Sequence, residues 1–157
     1  MSDDIDAAPL PIPEGFTDWG WRRGFGGVCG PLYGKDLPGF KRLMGFRVEP
    51  HHTNGMKAAH GGMLMTFADV AWGNTVSVER SSFWVTIKLS CEFLSSARLG
   101  EWVEGGGEVL NIVDDVFSVS GQVWVGDRLI LTGSGVFKAL TPREPRPGER
   151  AFTTDTI

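Results

Sequence analysis

The chain of 157 residues is short of several things. It has two cysteines, Cys29 and Cys91, too few and too isolated for a disulfide framework or a cysteine-based zinc site. A pair of that kind suits a reducing compartment. It has three histidines, His51, His52 and His60. No cysteine or carboxylate stands at a spacing that would complete a metal site with them, so neither a metal nor another cofactor is expected. There is no basic surplus: 15 Lys and Arg against 19 Asp and Glu leave a net charge of −4, which argues against nucleic acid as a partner. No apolar run reaches the roughly 20 residues needed to cross a bilayer, so no membrane partner is expected. The start, Met1-Ser2-Asp3-Asp4, is acidic and lacks the basic-then-apolar pattern of a signal peptide. The expected location is therefore cytoplasmic.

What is present suits one globular domain with a real core: 41% of residues are hydrophobic and 22% charged. Pro9, Pro11 and Pro13, with Asp3, Asp4 and Asp6, predict a disordered or loosely docked tail over residues 1–14. Pro142, Pro145 and Pro147 predict a mobile tail over 141–157, leaving a domain over 15–140. Residues 15–38 are glycine-rich with Trp19, Trp21 and Phe25 interleaved, which predicts a segment packed on something rather than a free linker. Residues 40–49 alternate, with Met44, Phe46 and Val48 on one side, as a strand does. Residues 50–59 form a loop.

The next stretch, His60-Gly61-Gly62-Met63-Leu64-Met65-Thr66-Phe67-Ala68-Asp69, organises the rest. Leu64, Phe67, Ala68, Ala71, Trp72 and Thr75 follow the spacing of one helix face and predict a helix from about 61 to 78. Asp69 falls outside the centre of that face, in line with Met65, Gly73 and Val76. A carboxylate among apolar neighbours is costly unless paired or used, and desolvation makes such a group a stronger base. Gly61 and Gly62 permit a tight entry to the helix, whose first N–H groups favour negative charge. Carboxylate and helix start together are usable for acyl-group chemistry. Four β-rich segments follow, over 83–94, 102–113, 117–125 and 128–140, separated by turn signals at Gly100, Asp114-Asp115 and Gly126-Asp127. Short turns force antiparallel pairing. A helix this apolar needs cover on most sides, so the expected class is α+β, an antiparallel sheet wrapped around one long central helix.

This order of elements, with Gly30-Pro31-Leu32-Tyr33, His52-Thr53-Asn54, His60-Gly61-Gly62 and Asp69, resembles the hotdog-fold thioesterases over about residues 28–140. The branch it resembles is that of phenylacetic-acid degradation, related to the 4-hydroxybenzoyl-CoA thioesterases. The resemblance implies an acyl-CoA thioesterase working at a homodimer interface, often within a homotetramer made of two dimers. It implies Asp69 as general base or nucleophile and Gly61 as the N–H donor that polarises the thioester carbonyl. Asn54 then places substrate or water, His60 is a positioning residue, and Thr86 lies near the attacking water. Gly62 and the strand-end segment Phe93, Leu94, Ser95, Ser96, Ala97 and Arg98 would contact the substrate, with Arg98 near the CoA phosphates. Ser96 departs from the proline that many relatives carry. The alternative reading is a non-catalytic module that binds acyl-CoA.

Overall fold

The computed structural model describes residues 10–39 and 41–141. Residues 1–9 and 142–157, most of the two expected tails, lie outside the described residues, as does Phe40. In chain order the elements are β1 (Thr17–Asp18), α1 (Gly24–Cys29), β2 (Tyr33–Leu37), β3 (Lys41–Arg47), a 3-10 turn (Pro50–His52), α2 (Gly61–Arg80), β4 (Trp84–Phe93), β5 (Trp102–Val113), β6 (Val116–Val125) and β7 (Arg128–Ala139). The strands form one antiparallel sheet in the order β1-β2-β3-β5-β6-β7-β4.

α2 forms where its periodicity predicts it. His60 caps its start, and Ser81 closes it in the left-handed conformation at φ 51°. Arg80 in the last turn complements the negative end of the helix dipole. Leu64, Phe67, Ala68, Ala71 and Trp72 are all buried, and the sheet lays Met44, Phe46, Val103, Phe117, Val119, Val123 and Phe137 into the same core. Trp72 is the largest fully buried side chain. Its indole lies so close to β6 that a Cβ on Gly121 would stand 2.2 Å from the ring, so only glycine fits there. Burial of an aromatic side chain of this size is worth about 3–5 kcal/mol by truncation.

The segment before β3 packs as expected: Trp19 and Trp21 lie against the core margin, and the Arg42 guanidinium sits 4.9 Å from the Trp19 ring centre. It also contains two elements that its sequence hides. β2 is a short strand, Tyr-Gly-Lys-Asp-Leu, with no run of β-formers. α1 holds three glycines in six residues, a composition that argues against a helix. With its sheet curved around α2, the chain has the hotdog architecture and is α+β. β4 forms one edge of that sheet, and its Val85 and Ile87 are exposed.

Candidate active site

β4 runs along α2 in the opposite direction, held at both ends by glycines. A Cβ on Gly73 would stand 2.1 Å from the Trp84 indole, so at that end the strand lies hard against the helix. At the other end the Phe93 ring comes within 3.5 Å of where a Gly61 Cβ would stand. Between these contacts the Thr86 hydroxyl donates to Asp69 Oδ1 at 2.6 Å. Asp69 is half-buried, with one carboxylate oxygen held by Thr86. Cys91 lies on the same strand, and its thiol is pushed up from 9.0 by burial and then by the negative charges of Asp69 and Glu92. It stays a protonated thiol at neutral pH and offers no competing nucleophile.

The start of α2 is built differently from the expectation in one respect. The His60 ring accepts the Gly62 N–H at Nδ1, 2.9 Å away, so Gly62 is taken by the cap and is not a donor for a ligand. Leu64 begins the helical ladder by donating to the His60 carbonyl. That leaves the Gly61 and Met63 N–H groups as the helix's unpaired donors among the described residues. Asn54 closes the preceding loop: its Oδ1 accepts from the Met56 and Ala58 N–H groups at 2.9 and 3.3 Å. Its amide nitrogen makes no hydrogen bond to the described residues.

The strand-end segment joins this loop within one chain. Ala59 N–H donates to the Ala97 carbonyl, Leu99 N–H to the Lys57 carbonyl, and Ala58 bridges Arg98. Phe93 and Leu94 are exposed, and Leu94 and Ser95 both donate to the Ile130 carbonyl. The Ser96 carbonyl accepts from Arg128, whose guanidinium also pairs with Glu101 at 2.5 Å. Ala97 is fully buried, and its side chain packs into the core. The Arg98 side chain has no ion-pair partner among the described residues.

Sequence reasoning missed the neighbourhood of His51 and His52. Their Nε2 atoms bond the Gly30 and Cys29 carbonyls at 3.0 and 2.8 Å. Beside them is a cavity of about 450 Å³, walled by Phe25 and Val28 of α1 and by Met63 and Thr66 of α2. The only available signal was the Phe25–Val28 spacing of three residues, which places both on one face of a helix.

One chain therefore holds Asp69 with Thr86, and two turns earlier on the same helix Gly61 with His60 and the Phe93 ring. Gly61 and Asp69 are eight residues apart on one helix, about 12 Å at about 1.5 Å per residue. That is too far for both to reach one carbonyl and its attacking water.

One long central helix in a curved antiparallel sheet defines a hotdog-fold protein. The comparisons agree. The Thioesterase superfamily model matches residues 56–131. A Pseudomonas aeruginosa protein bearing the provisional name of an esterase is 30% identical over 130 residues, 82% of this chain and 97% of that one. The solved structure of zebra fish thioesterase superfamily member 2 superposes with a TM-score of 0.66 at 23% identity, covering 75% of this chain and 87% of that one. A hypothetical thioesterase of Streptococcus pneumoniae, solved with coenzyme A, gives 0.64 at 18% identity over 72% and 91%. The chain belongs to the thioesterase superfamily.

Proposed function

We propose that the protein hydrolyses an acyl-CoA thioester to the free acid and CoA, without a cofactor, at a site shared between two copies of the chain. The observation that carries this is Asp69, a carboxylate tethered at 2.6 Å by the Thr86 hydroxyl on the central helix. A non-catalytic acyl-CoA-binding module has no use for such a group. In the proposed reaction Asp69 takes a proton from water as the water oxygen attacks the thioester carbonyl, or it attacks the carbonyl itself. The oxyanion accepts from the Gly61 N–H of the second copy. The C–S bond then breaks, and the CoA sulfur leaves and takes up the proton. On the nucleophilic route, CoA leaves as the thiolate, and the water that then hydrolyses the acyl-aspartyl anhydride restores the carboxylate and supplies the thiolate's proton.

Thr86 orients Asp69, His60 fixes the helix start, and the Asn54 amide nitrogen faces substrate or water. Arg98, free of ion pairs while Arg128 takes up Glu101, meets the CoA phosphates. The Streptococcus pneumoniae neighbour solved with coenzyme A supports CoA as the carrier. The His52, Asn54, His60-Gly61-Gly62 and Asp69 series supports the phenylacetic-acid and 4-hydroxybenzoyl-CoA branch. The open edge of β4 supports a two-fold dimer that joins the sheets and lays the two α2 helices side by side. Two such dimers would form the homotetramer. The cytoplasm as the site of action rests on the sequence, and no helix among the described residues is long and apolar enough to cross a membrane.

The test is release of CoA, followed with a thiol reagent, from short, medium, long and aromatic acyl-CoAs. The parent should turn over at least one, and Asp69→Asn should not. A parent that releases CoA from none of them overturns the reading.

A further inference from the structure

α1 is an unusual thing to find held so firmly. It has six residues, three of them glycine, and no side-chain cap at its start. A helix this short does not hold itself together. Its outward face presents Phe25 and Val28, 66% and 70% exposed. What fixes it comes from outside. A Cβ on Gly26 would stand 2.0 Å from the Trp21 indole, so the helix rests directly on that ring. Its last carbonyl, that of Cys29, and the carbonyl of Gly30 receive the two adjacent histidines at 2.8 and 3.0 Å. His52 is buried, and its Nδ1 accepts the Glu49 N–H at 3.0 Å. That bond places the His52 proton on Nε2, where it donates to Cys29. A buried histidine in a fixed tautomer is thus spent on aiming a helix whose apolar face is left open.

The open face walls the cavity of about 450 Å³, within the range of about 300–1,000 Å³ usual for small-molecule sites. The opposite wall is α2, through Gly62, Met63 and Thr66. Gly62 adjoins the Gly61 N–H, and Thr66 is one turn before Asp69, so the cavity opens on the helix face that carries the reaction. The His51, His52 and His60 rings share the wall with Phe25, Val28 and Met63, and no lysine or arginine lines it. His51 and His52 give their Nε2 atoms to the Gly30 and Cys29 carbonyls, and His60 gives its Nδ1 to the Gly62 N–H, so the wall holds no permanent cation for the CoA phosphates or for an acyl group that carries its own carboxylate.

We infer that this cavity takes the acyl group, that Phe25 and Val28 are specificity-determining contacts favouring an uncharged apolar acyl chain or ring, and that His51 and His52 are positioning residues that hold α1 for them. The inference rests on the proposed thioesterase activity and names the substrate class of that site.

The experiment compares kcat/KM for acetyl-, octanoyl-, phenylacetyl- and succinyl-CoA in the parent, the Phe25→Ala/Val28→Ala double variant, His52→Ala and His52→Gln. The parent should prefer octanoyl- and phenylacetyl-CoA to succinyl-CoA. In the double variant the octanoyl-to-acetyl ratio should fall about 10–100-fold, the range that apolar pocket contacts supply. His52→Ala should lower the same ratio through KM rather than kcat. His52→Gln, which keeps an N–H donor for Cys29, should recover it. An equal loss on all substrates, an unchanged ratio, or a change of oligomeric state by light scattering in the double variant overturns the inference while leaving the hydrolase reading intact. If the parent turns over none of the four, the wider acyl-CoA screen decides the hydrolase reading, and binding decides the cavity by itself. Tryptophan fluorescence should then show tighter binding of octanoyl- than acetyl-CoA in the parent and no such difference in the double variant. Absence of that preference in the parent overturns the inference.

Discussion

Asp69 is the carboxylate on which the proposed reaction turns, and the Thr86 hydroxyl holds one of its oxygens at 2.6 Å. Asp69 stood out because a helical wheel leaves it among apolar and small residues. Thr86 sits in a strand full of β-branched residues, and only the resemblance marked it; the fold supplies the reason, a hydroxyl 2.6 Å from the carboxylate. Asp69→Asn should keep the thermal midpoint near that of the parent and lower kcat by about 10²–10⁴-fold, the usual worth of a positioned acid–base group. Near-parent turnover would remove Asp69 from the reaction. His52 entered the sequence reading as part of the resemblance; the role of His51 and His52 in holding α1 left no pattern, because their partners are backbone carbonyls more than twenty residues earlier. Their consequence is measurable all the same. Burial lowers the His52 pKa from 6.5, and the neighbouring His51 lowers it further, against the pull of the Cys29, Glu49 and Arg47 contacts. The unfolded chain therefore binds the proton more readily than the folded one. The contribution is fully present above about pH 6.5 and is lost as pH falls through the lower folded value. The parent's melting temperature should drop more steeply between pH 6.5 and 5 than that of His52→Gln, as read by calorimetry. Parallel curves would contradict this. Glu101 does not confuse the window: burial pushes its carboxyl up, but Arg128 and the Arg98 N–H bring it below 4.5, so its loss comes at lower pH.

Among the elements, the long periodic ones were readable and the short ones were not. α2 and β5 to β7 carry enough repeats of period 3.6 or 2 for the pattern to outweigh local composition, and their observed bounds lie within two residues of the expected ones. β2 pairs with β3 because the sheet offers an edge, and Tyr33–Leu37 supplies no alternation of its own. α1 exists because Trp21 and two histidines hold it. The close approach of Trp72 to β6 makes glycine at 121 a requirement of the sheet's curve around α2. Gly121→Ala should destabilise the fold by about 1–3 kcal/mol, the cost of overpacking a close-packed core, measured by urea unfolding with an unchanged slope. A loss under about 0.5 kcal/mol, ordinary for a surface change, would show that the indole yields easily.

At the scale of the whole molecule, the proposed site needs two copies of the chain. One chain brings Thr86 to Asp69 and Phe93 to Gly61, but it keeps Asp69 and Gly61 two helical turns apart. The family resemblance implied that division, and helix rise gives it a physical reason. The sequence held no sign of the cavity walled by α1, which depends on contacts distant in the chain. β4 is an edge strand with an exposed Ile87 at its bulge. Ile87→Lys should shift the protein towards monomer by light scattering, and turnover should fall in step, since a charge on an apolar edge opposes pairing. A fully active monomer would contradict the shared site. The most direct test mixes two inactive chains. Gly61→Pro deletes the oxyanion N–H where the fold tolerates it: the first helical position favours proline, and His60 at φ −61°, ψ 139° already has the extended conformation that precedes one. Asp69→Asn deletes the carboxylate. Each variant alone should fold, exchange subunits and show almost no turnover. Random pairing makes about half the dimers mixed, and each mixed dimer should hold one intact site, so about a quarter of parent activity should return. If Gly61 and Asp69 serve the same site from one chain, every site in the mixture keeps one lesion, and proven exchange without recovery would contradict the account.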